Sequence, residues 1–166
     1  MPKNSLLIPR TGFGFDSHAF DRKGVLMLAG LPFRGTPALK AHSDGDVVIH
    51  AVIDALLGAS SLGDIGELFP DSSPAWKGAA GKMLLQQTLR RLRSAGFKPL
   101  HVDVTVVADK PKLGAMKDRM ACRLAELLNI PVEDVSVKAK TAEGLKLFRN
   151  AKGGMMAWAV ATVLPC

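Results

Sequence analysis

Three observations predict an α+β fold in which a mixed β-sheet carries its helices on one face. Strand-like and helix-like segments alternate, but an early strand pair and short crossovers separate the pattern from a doubly wound nucleotide fold. The 166 residues are 48% hydrophobic with no long polar linker, repeat or low-complexity stretch, so residues 1–166 are expected to form a single domain around a real core. One segment, Val47 to Leu57, is apolar almost all round, which predicts a buried helix against which the rest must pack.

The elements follow in order. Residues 10–18 read as a strand ending in Asp16-Ser17-His18, and Val25–Phe33 reads as a second short strand. Arg34–His42 contains Gly and Pro and reads as a loop. Ser43-x-x-Asp46 fits a capping box, so a helix is predicted from about Asp44 to Leu57, with Gly58 as its stop. Only Asp46, His50 and Asp54 interrupt the apolar surface of that helix, and a spacing of four places them on one face. A polar stripe on a buried helix needs polar partners beneath it.

Leu62–Lys77, rich in turn residues, is predicted to be a structured loop. Lys82–Ala95 is an amphipathic helix with Leu84, Leu85, Leu89 and Leu92 inward, closed by Gly96. Leu100–Ala108 alternates Val102, Val104 and Val106 against His101, Asp103 and Thr105 and is a strand. A helix over Leu113–Leu128, a strand over Val135–Lys140 and a last strand over Met155–Leu164 complete the reading. The last is assigned to strand because Val160, Thr162 and Val163 are β-branched.

Composition narrows the function classes. The net charge is +7, but the basic residues are scattered, aromatics make up 5% and there is no tyrosine, so a stacking platform for nucleic acid is poorly supplied. Capture of a small polyanion fits the charge better. Met1–Pro9 lacks a signal-peptide pattern and no apolar run reaches the roughly 18 residues of a membrane span, so no membrane partner is expected. Cys122 and Cys166 form neither a metal spacing nor a disulfide framework; as free thiols they suit a reducing, cytoplasmic compartment.

Asp16 and His18 project from the same face of a strand end, about 7 Å apart by strand rise. His50 joins them from the polar stripe. One carboxylate and two imidazoles suit zinc and leave a fourth tetrahedral position open, the mark of a catalytic rather than a structural site. Asp46 and Asp54, one turn on either side, are expected to orient His50. Taken singly, Asp16 is equally readable as a turn acid, His18 as a surface residue and His50 as a core histidine. Gly12-x-Gly14 lacks the third glycine of a dinucleotide fingerprint, and there is no Gly-Lys-Ser/Thr phosphate loop. Backbone N–H groups after His42-Ser43-Asp44 would suit a phosphate, although a plain helix cap explains Ser43 as well.

Longer motifs carry a resemblance. Gly12-Phe13-Gly14-Phe15-Asp16-Ser17-His18-Ala19-Phe20, Ala41-His42-Ser43-Asp44-Gly45-Asp46 through His50 to Asp54-Ala55-Leu56-Leu57-Gly58-Ala59, and Leu62-Gly63-Asp64-Ile65-Gly66 resemble the cyclodiphosphate synthase family. Leu68-Phe69-Pro70-Asp71, Trp76-Lys77-Gly78-Ala79, Pro111-Lys112 and Val137-Lys138-Ala139-Lys140-Thr141-Ala142-Glu143 agree in order and spacing. The likeness spans about residues 11–164.

The resemblance implies a homotrimer with active sites at subunit interfaces. Each would convert 4-diphosphocytidyl-2-C-methyl-D-erythritol 2-phosphate to the cyclic diphosphate plus CMP, in non-mevalonate isoprenoid synthesis. It implies zinc on Asp16, His18 and His50, and a second divalent ion, magnesium, on Glu143. His42 and Thr141 fall on residues that stabilise the transition state. Asp64, Gly66 and Asp71 would contact ribose and erythritol, with Ser43, Ile65, Phe69 and Lys140 also touching substrate. Ala108, Lys112, Leu113 and Gly114 of a neighbouring subunit would cradle cytosine.

The match breaks after Glu143. Where the family shows a Gly-Phe-Thr-Gly-Arg-Gly-Glu-Gly run, this chain has Leu145 to Gly154 with an insertion of about one residue and the usual Arg and Glu displaced. An isoprenoid-diphosphate site on the trimer axis is therefore not carried over, with Arg149 and Lys152 the available substitutes. Ser73 stands where an acid is common, and Lys140 and Ala142 where threonines are frequent. Two other readings stay open on the residues alone: a zinc phosphohydrolase using metal-bound water with Glu143 or Asp64 as base, and a basic anion- or nucleic-acid-binding module with a structural metal.

Overall fold

The computed structural model describes residues 8–21, 23–145, 147 and 153–166. Strands β1 (Arg10–Ala19), β4 (Phe97–Val107), β5 (Val135–Lys140) and β6 (Gly154–Pro165) form one sheet in the order β1-β6-β4-β5. β6 is antiparallel to both β1 and β4, whereas β4 and β5 are parallel, so the sheet is mixed. The short strands β2 (Leu26–Leu28) and β3 (Leu31–Phe33) pair separately. Helices α1 (Val47–Ser60), α2 (Ile65–Leu68), α3 (Gly81–Ser94) and α4 (Lys117–Leu128) complete the fold.

Period-two alternation decides which sheet face is covered. Val102, Val104, Val106, Ala157, Ala159, Ala161 and Val163 are buried, while Phe13, Phe15 and Val160 on the opposite face stay exposed, Phe13 at 63%. α1 is buried as expected, from Val47 through Leu57 apart from the half-buried Asp54. It lies directly on β1, because Gly12 and Gly14 present no side chain. A Cβ on Gly14 would stand 2.0 Å from the Ala51 carbonyl oxygen, and one on Gly12 2.2 Å from that of Ala55.

Several expectations are corrected. Val25–Phe33 is a hairpin, not one strand: Ala29 (φ 53°) and Gly30 (φ 74°) form the two-residue turn, both left-handed as such a turn requires. Ala-Gly is a weak turn signal, and the conformation is held from outside by Asp46, which accepts both turn N–H groups. The cap of α1 is Asp46, not Ser43; its carboxylate accepts from Ile49 N at 3.1 Å. The helix also runs past Gly58 to Ser60 and stops at the left-handed Ser61, whose N–H returns to Gly58 O.

The expected loop 62–77 contains α2 and a single 3-10 turn at Pro74–Trp76. α4 begins at Lys117, with residues 114–116 in a 3-10 turn. The divergent Leu145–Gly154 stretch falls largely on residues 146 and 148–152, so Arg149 and Lys152 lie outside the described residues. Among the described residues, no helix is long and apolar enough to cross a membrane.

Candidate active site

The last residues of β1 and the first turn of α1 meet where the glycine contact brings them together. Alternation points Asp16 and His18 to the helix side of the sheet, and His50 faces them from α1. Asp16 Oδ2 lies 3.0 Å from His18 Nε2 and 2.9 Å from His50 Nδ1. One ligand atom from each residue falls within 4.8 Å of the others. The two imidazoles are nearly perpendicular, at 81° with centroids 5.7 Å apart, so their nitrogens converge instead of stacking.

Burial disfavours the Asp16 carboxylate, but hydrogen bonds and charge from His18 and His50 outweigh it and hold the carboxyl far below its ordinary range. Burial likewise opposes protonation of His50, but the Asp16 hydrogen bond and the charges of Asp16, Asp46 and Asp44 raise its pKa. A carboxylate that stays ionised beside two convergent imidazoles is a donor set that fits a divalent cation of zinc type.

The stripe works differently from expectation. Asp46 does not orient His50: fully buried, it accepts from Ala29 N at 2.9 Å, Gly30 N at 2.7 Å and Ile49 N. As the cap residue it lies outside the helical repeat, and its side chain folds over the helix end. Asp54 accepts from Ile65 N at 2.8 Å and so anchors the start of α2. The ring nitrogens of His50 go instead to Asp16 and to Ser43 Oγ, the latter 3.0 Å from Nε2. Ser43 escaped the periodicity argument because it precedes the helix.

The loop bearing His42 and Ser43 is held at several points. Lys40 N–H bonds to Ala19 O at 2.8 Å, returning the chain to the end of β1. Asp44 accepts from Gly81 N at 2.7 Å and from Asp46 N at 3.2 Å, fixing the loop to α3 and α1. His42 Nε2 is buried without a hydrogen-bond partner among the described residues.

A cavity of about 370 Å³ opens over this cluster. Of the sequence-predicted residues it gathers Asp16, His18, His42, Ser43, His50, Ile65, Gly66, Phe69 and Asp71, and adds Trp76, Leu84 and Asp54. Asp64 does not line it; its Oδ1 caps α2 by accepting from Glu67 N at 2.8 Å. A second cavity of about 400 Å³ is lined by Ala108, Lys112, Leu113, Gly114, Lys140, Thr141 and Glu143, together with Lys117 and Ala139. Lys117 was missed, although its place after Lys110 and Lys112 was the available signal. There Thr141 Oγ1 donates to Glu143 Oε1, and Asp109 Oδ1 accepts from Ala142 N at 2.9 Å.

Both cavities open at the same end of the sheet, since β1, β4 and β5 run in one direction. They stand at opposite edges. Register aligns Asp16 with Ala157, Ala157 with Val106 and Val106 with Ala139. Three strand spacings, about 14 Å, therefore separate the Asp16 row from the strand that leads to Thr141. One chain does not bring Thr141 and Glu143 to the Asp16–His18–His50 cluster.

A family model described as the YgbB family matches residues 9–164, which takes in both cavities. The chain belongs to the YgbB family. It is 47% identical over 144 residues to a 2-C-methyl-D-erythritol 2,4-cyclodiphosphate synthase of Pectobacterium atrosepticum, covering 87% of each chain. The bifunctional IspDF of Campylobacter jejuni superposes with a TM-score of 0.90 at 40% identity, over 97% of this chain and 43% of that one. A 2C-methyl-D-erythritol-2,4-cyclodiphosphate synthase solved in a CDP-bound form gives 0.84 at 36%, over 93% and 99% of the two chains.

Proposed function

We infer that the chain is an isoprenoid-pathway synthase that closes 4-diphosphocytidyl-2-C-methyl-D-erythritol 2-phosphate into 2-C-methyl-D-erythritol 2,4-cyclodiphosphate and releases CMP. The observation that carries this is the Asp16–His18–His50 cluster at the floor of a cavity lined by family motif residues. An oxygen of the substrate's own 2-phosphate attacks the β-phosphorus. The bond from that phosphorus to the bridging oxygen breaks, and its electron pair leaves with CMP. No protein nucleophile is needed; the task is to hold two anions in line.

On this reading Asp16, His18 and His50 hold zinc and Glu143 holds magnesium; bound there, the ions supply Lewis-acid neutralisation of the diphosphate. The chain's own groups do the rest. His42, with its unpartnered buried nitrogen, and Thr141 donate to phosphate oxygens as charge develops. Asp64, Gly66 and Asp71 contact ribose and erythritol, with Ser43, Ile65, Phe69 and Lys140 also touching substrate, while Ala108, Lys112, Leu113 and Gly114 of a neighbouring subunit receive cytosine. The three lysines of the second cavity and the net charge of +7 favour entry of a polyanion.

The reading is completed by a homotrimer of this single 166-residue domain, in which a neighbour's second cavity faces the first. Two observations support it. The half-sites stand apart in one chain, and Phe13, Phe15 and Val160 leave an apolar sheet face exposed, with Phe15 packed 5.2 Å from Trp158. The free, exposed Cys122 and Cys166 support a cytoplasmic location.

Phosphorus NMR of the protein with the diphosphocytidyl substrate, zinc and magnesium tests the reading. CMP together with the cyclic diphosphate is expected. CMP without a cyclic product would replace it with a hydrolase, and no turnover by a zinc-loaded trimer would remove the synthase assignment.

A further inference from the structure

The two ring nitrogens of His50 face different partners, and the residue is only 6% exposed. Nδ1 points at Asp16 Oδ2, where His18 Nε2 also converges. Nε2 points at Ser43 Oγ, 3.0 Å away. A neutral imidazole carries one N–H, and a ligating nitrogen must be bare. If Nδ1 is the nitrogen that meets the cation, the proton belongs on Nε2 and must be donated to Ser43.

We propose that Ser43 is a positioning residue for the cation site: its Oγ accepts the Nε2–H of His50 and fixes the tautomer that presents a bare Nδ1 beside Asp16 and His18. The inference rests on the metal-dependent reading above and gives Ser43 a role besides touching substrate. A hydroxyl suits the position because it serves both states of the site. Without the cation, Nδ1–H donates to Asp16 and the hydroxyl rotates to donate to Nε2. With the cation, the hydroxyl becomes the acceptor. An ionised carboxylate or a methyl group cannot do both.

The hydroxyl is also held where it is needed. Asp44 ties the next residue to Gly81 N, and Asp46 ties the following turn to the β2–β3 hairpin and to Ile49 N. Gly45 N–H approaches Ser43 Oγ at 3.4 Å, a weak second donor to the same oxygen. With those two donors on its lone pairs, the hydroxyl proton is left to be given to an anionic oxygen in the cavity. Ser43 thus joins a cavity anion to the far side of a cation ligand. The half-buried Asp44 and the fully buried Asp46 carboxylates, which do not line the cavity, acquire a reason to be there.

The test is zinc affinity of the 166-residue chain without substrate, measured by competition with a chromophoric chelator, for the native chain, Ser43→Ala and Ser43→Thr. Loss of a partner behind a ligating histidine costs about 10- to 100-fold in metal affinity. Ser43→Ala is expected to weaken zinc by that factor, and Ser43→Thr to restore it to within about 3-fold. A merely structural defect would not be undone by returning the hydroxyl in Ser43→Thr. Unchanged zinc affinity in Ser43→Ala, with only KM raised, would overturn the proposal and leave Ser43 as a substrate contact. Failure of the native chain itself to bind zinc would instead overturn the metal-dependent reading beneath it.

Discussion

Replacing Gly14 by alanine inserts one methyl group between β1 and α1, at the contact that places His50 against Asp16. The new Cβ would stand 2.0 Å from Ala51 O, 2.6 Å from Ala55 N and 3.0 Å from Ala51 C, all backbone atoms that no rotamer change can move. Ordinary contact begins near 3.4 Å, so α1 and β1 must separate by roughly 1.4 Å at this point. Overpacking of this kind costs about 1–3 kcal/mol. For a chain of this size each kcal/mol lowers Tm by about 2–4 °C, so a fall of about 2–12 °C is expected.

The functional effect should exceed the loss of stability. His50 is the neighbour of Ala51, and Asp16 is two residues along β1 on the same face as Gly14, so the full displacement enters the ligand triangle. Ligand distances in metal sites hold within about 0.2 Å, and a 1 Å misplacement costs about 100-fold in rate. Gly14→Ala is therefore expected to reduce kcat/KM by about 100-fold at temperatures where it remains folded. Differential scanning fluorimetry and the CMP-release assay measure the two effects. A variant that melts within 2 °C of the native chain and turns over normally would refute the claim that the glycine contact sets the site.

Two further expectations come from the same helix. Gly58 is exposed in the last turn of α1, and a Cβ there would meet only Phe13 O at an ordinary 3.9 Å, so Gly58→Ala should raise stability by about 0.5–1 kcal/mol in urea denaturation; a loss would show that Gly58 is needed as a helix stop. Burial raises the Asp54 carboxyl above its ordinary 3.8, the Ile65 N–H bond partly offsets this, and the charges of Asp64 and Asp16 add to the rise. The native state therefore holds this proton where the unfolded chain has released it. The resulting stability is complete below 3.8 and is lost as pH rises through the native value. Asp54→Asn keeps an oxygen for Ile65 N–H but has no proton to lose. Without added metal, the native chain should thus weaken relative to the variant across that window, and parallel pH profiles would contradict the assignment.

The sequence by itself determined the buried helix, the strand periods and the types of the site residues. Apolar positions at period two and an apolar helix surface are local chemistry, and a carboxylate with two imidazoles is a donor set wherever it folds. Asp16 and His18 were already on one face by strand alternation, and His50 was conspicuous as a polar residue in an apolar helix. Only the tertiary structure decided what each polar residue meets. Asp46 faced the same way as His50 by periodicity, yet as the cap it bonds to a hairpin turn 16 and 17 residues earlier, across a separation that no local pattern encodes. Ser43 read as a cap and became the partner of His50 for the same reason. The separation of the two cavities depended on β6 lying between β1 and β4, an ordering set by long-range strand pairing. Local sequence fixes a residue's conformation and chemistry, whereas its partner is chosen by which distant backbone the whole core brings alongside.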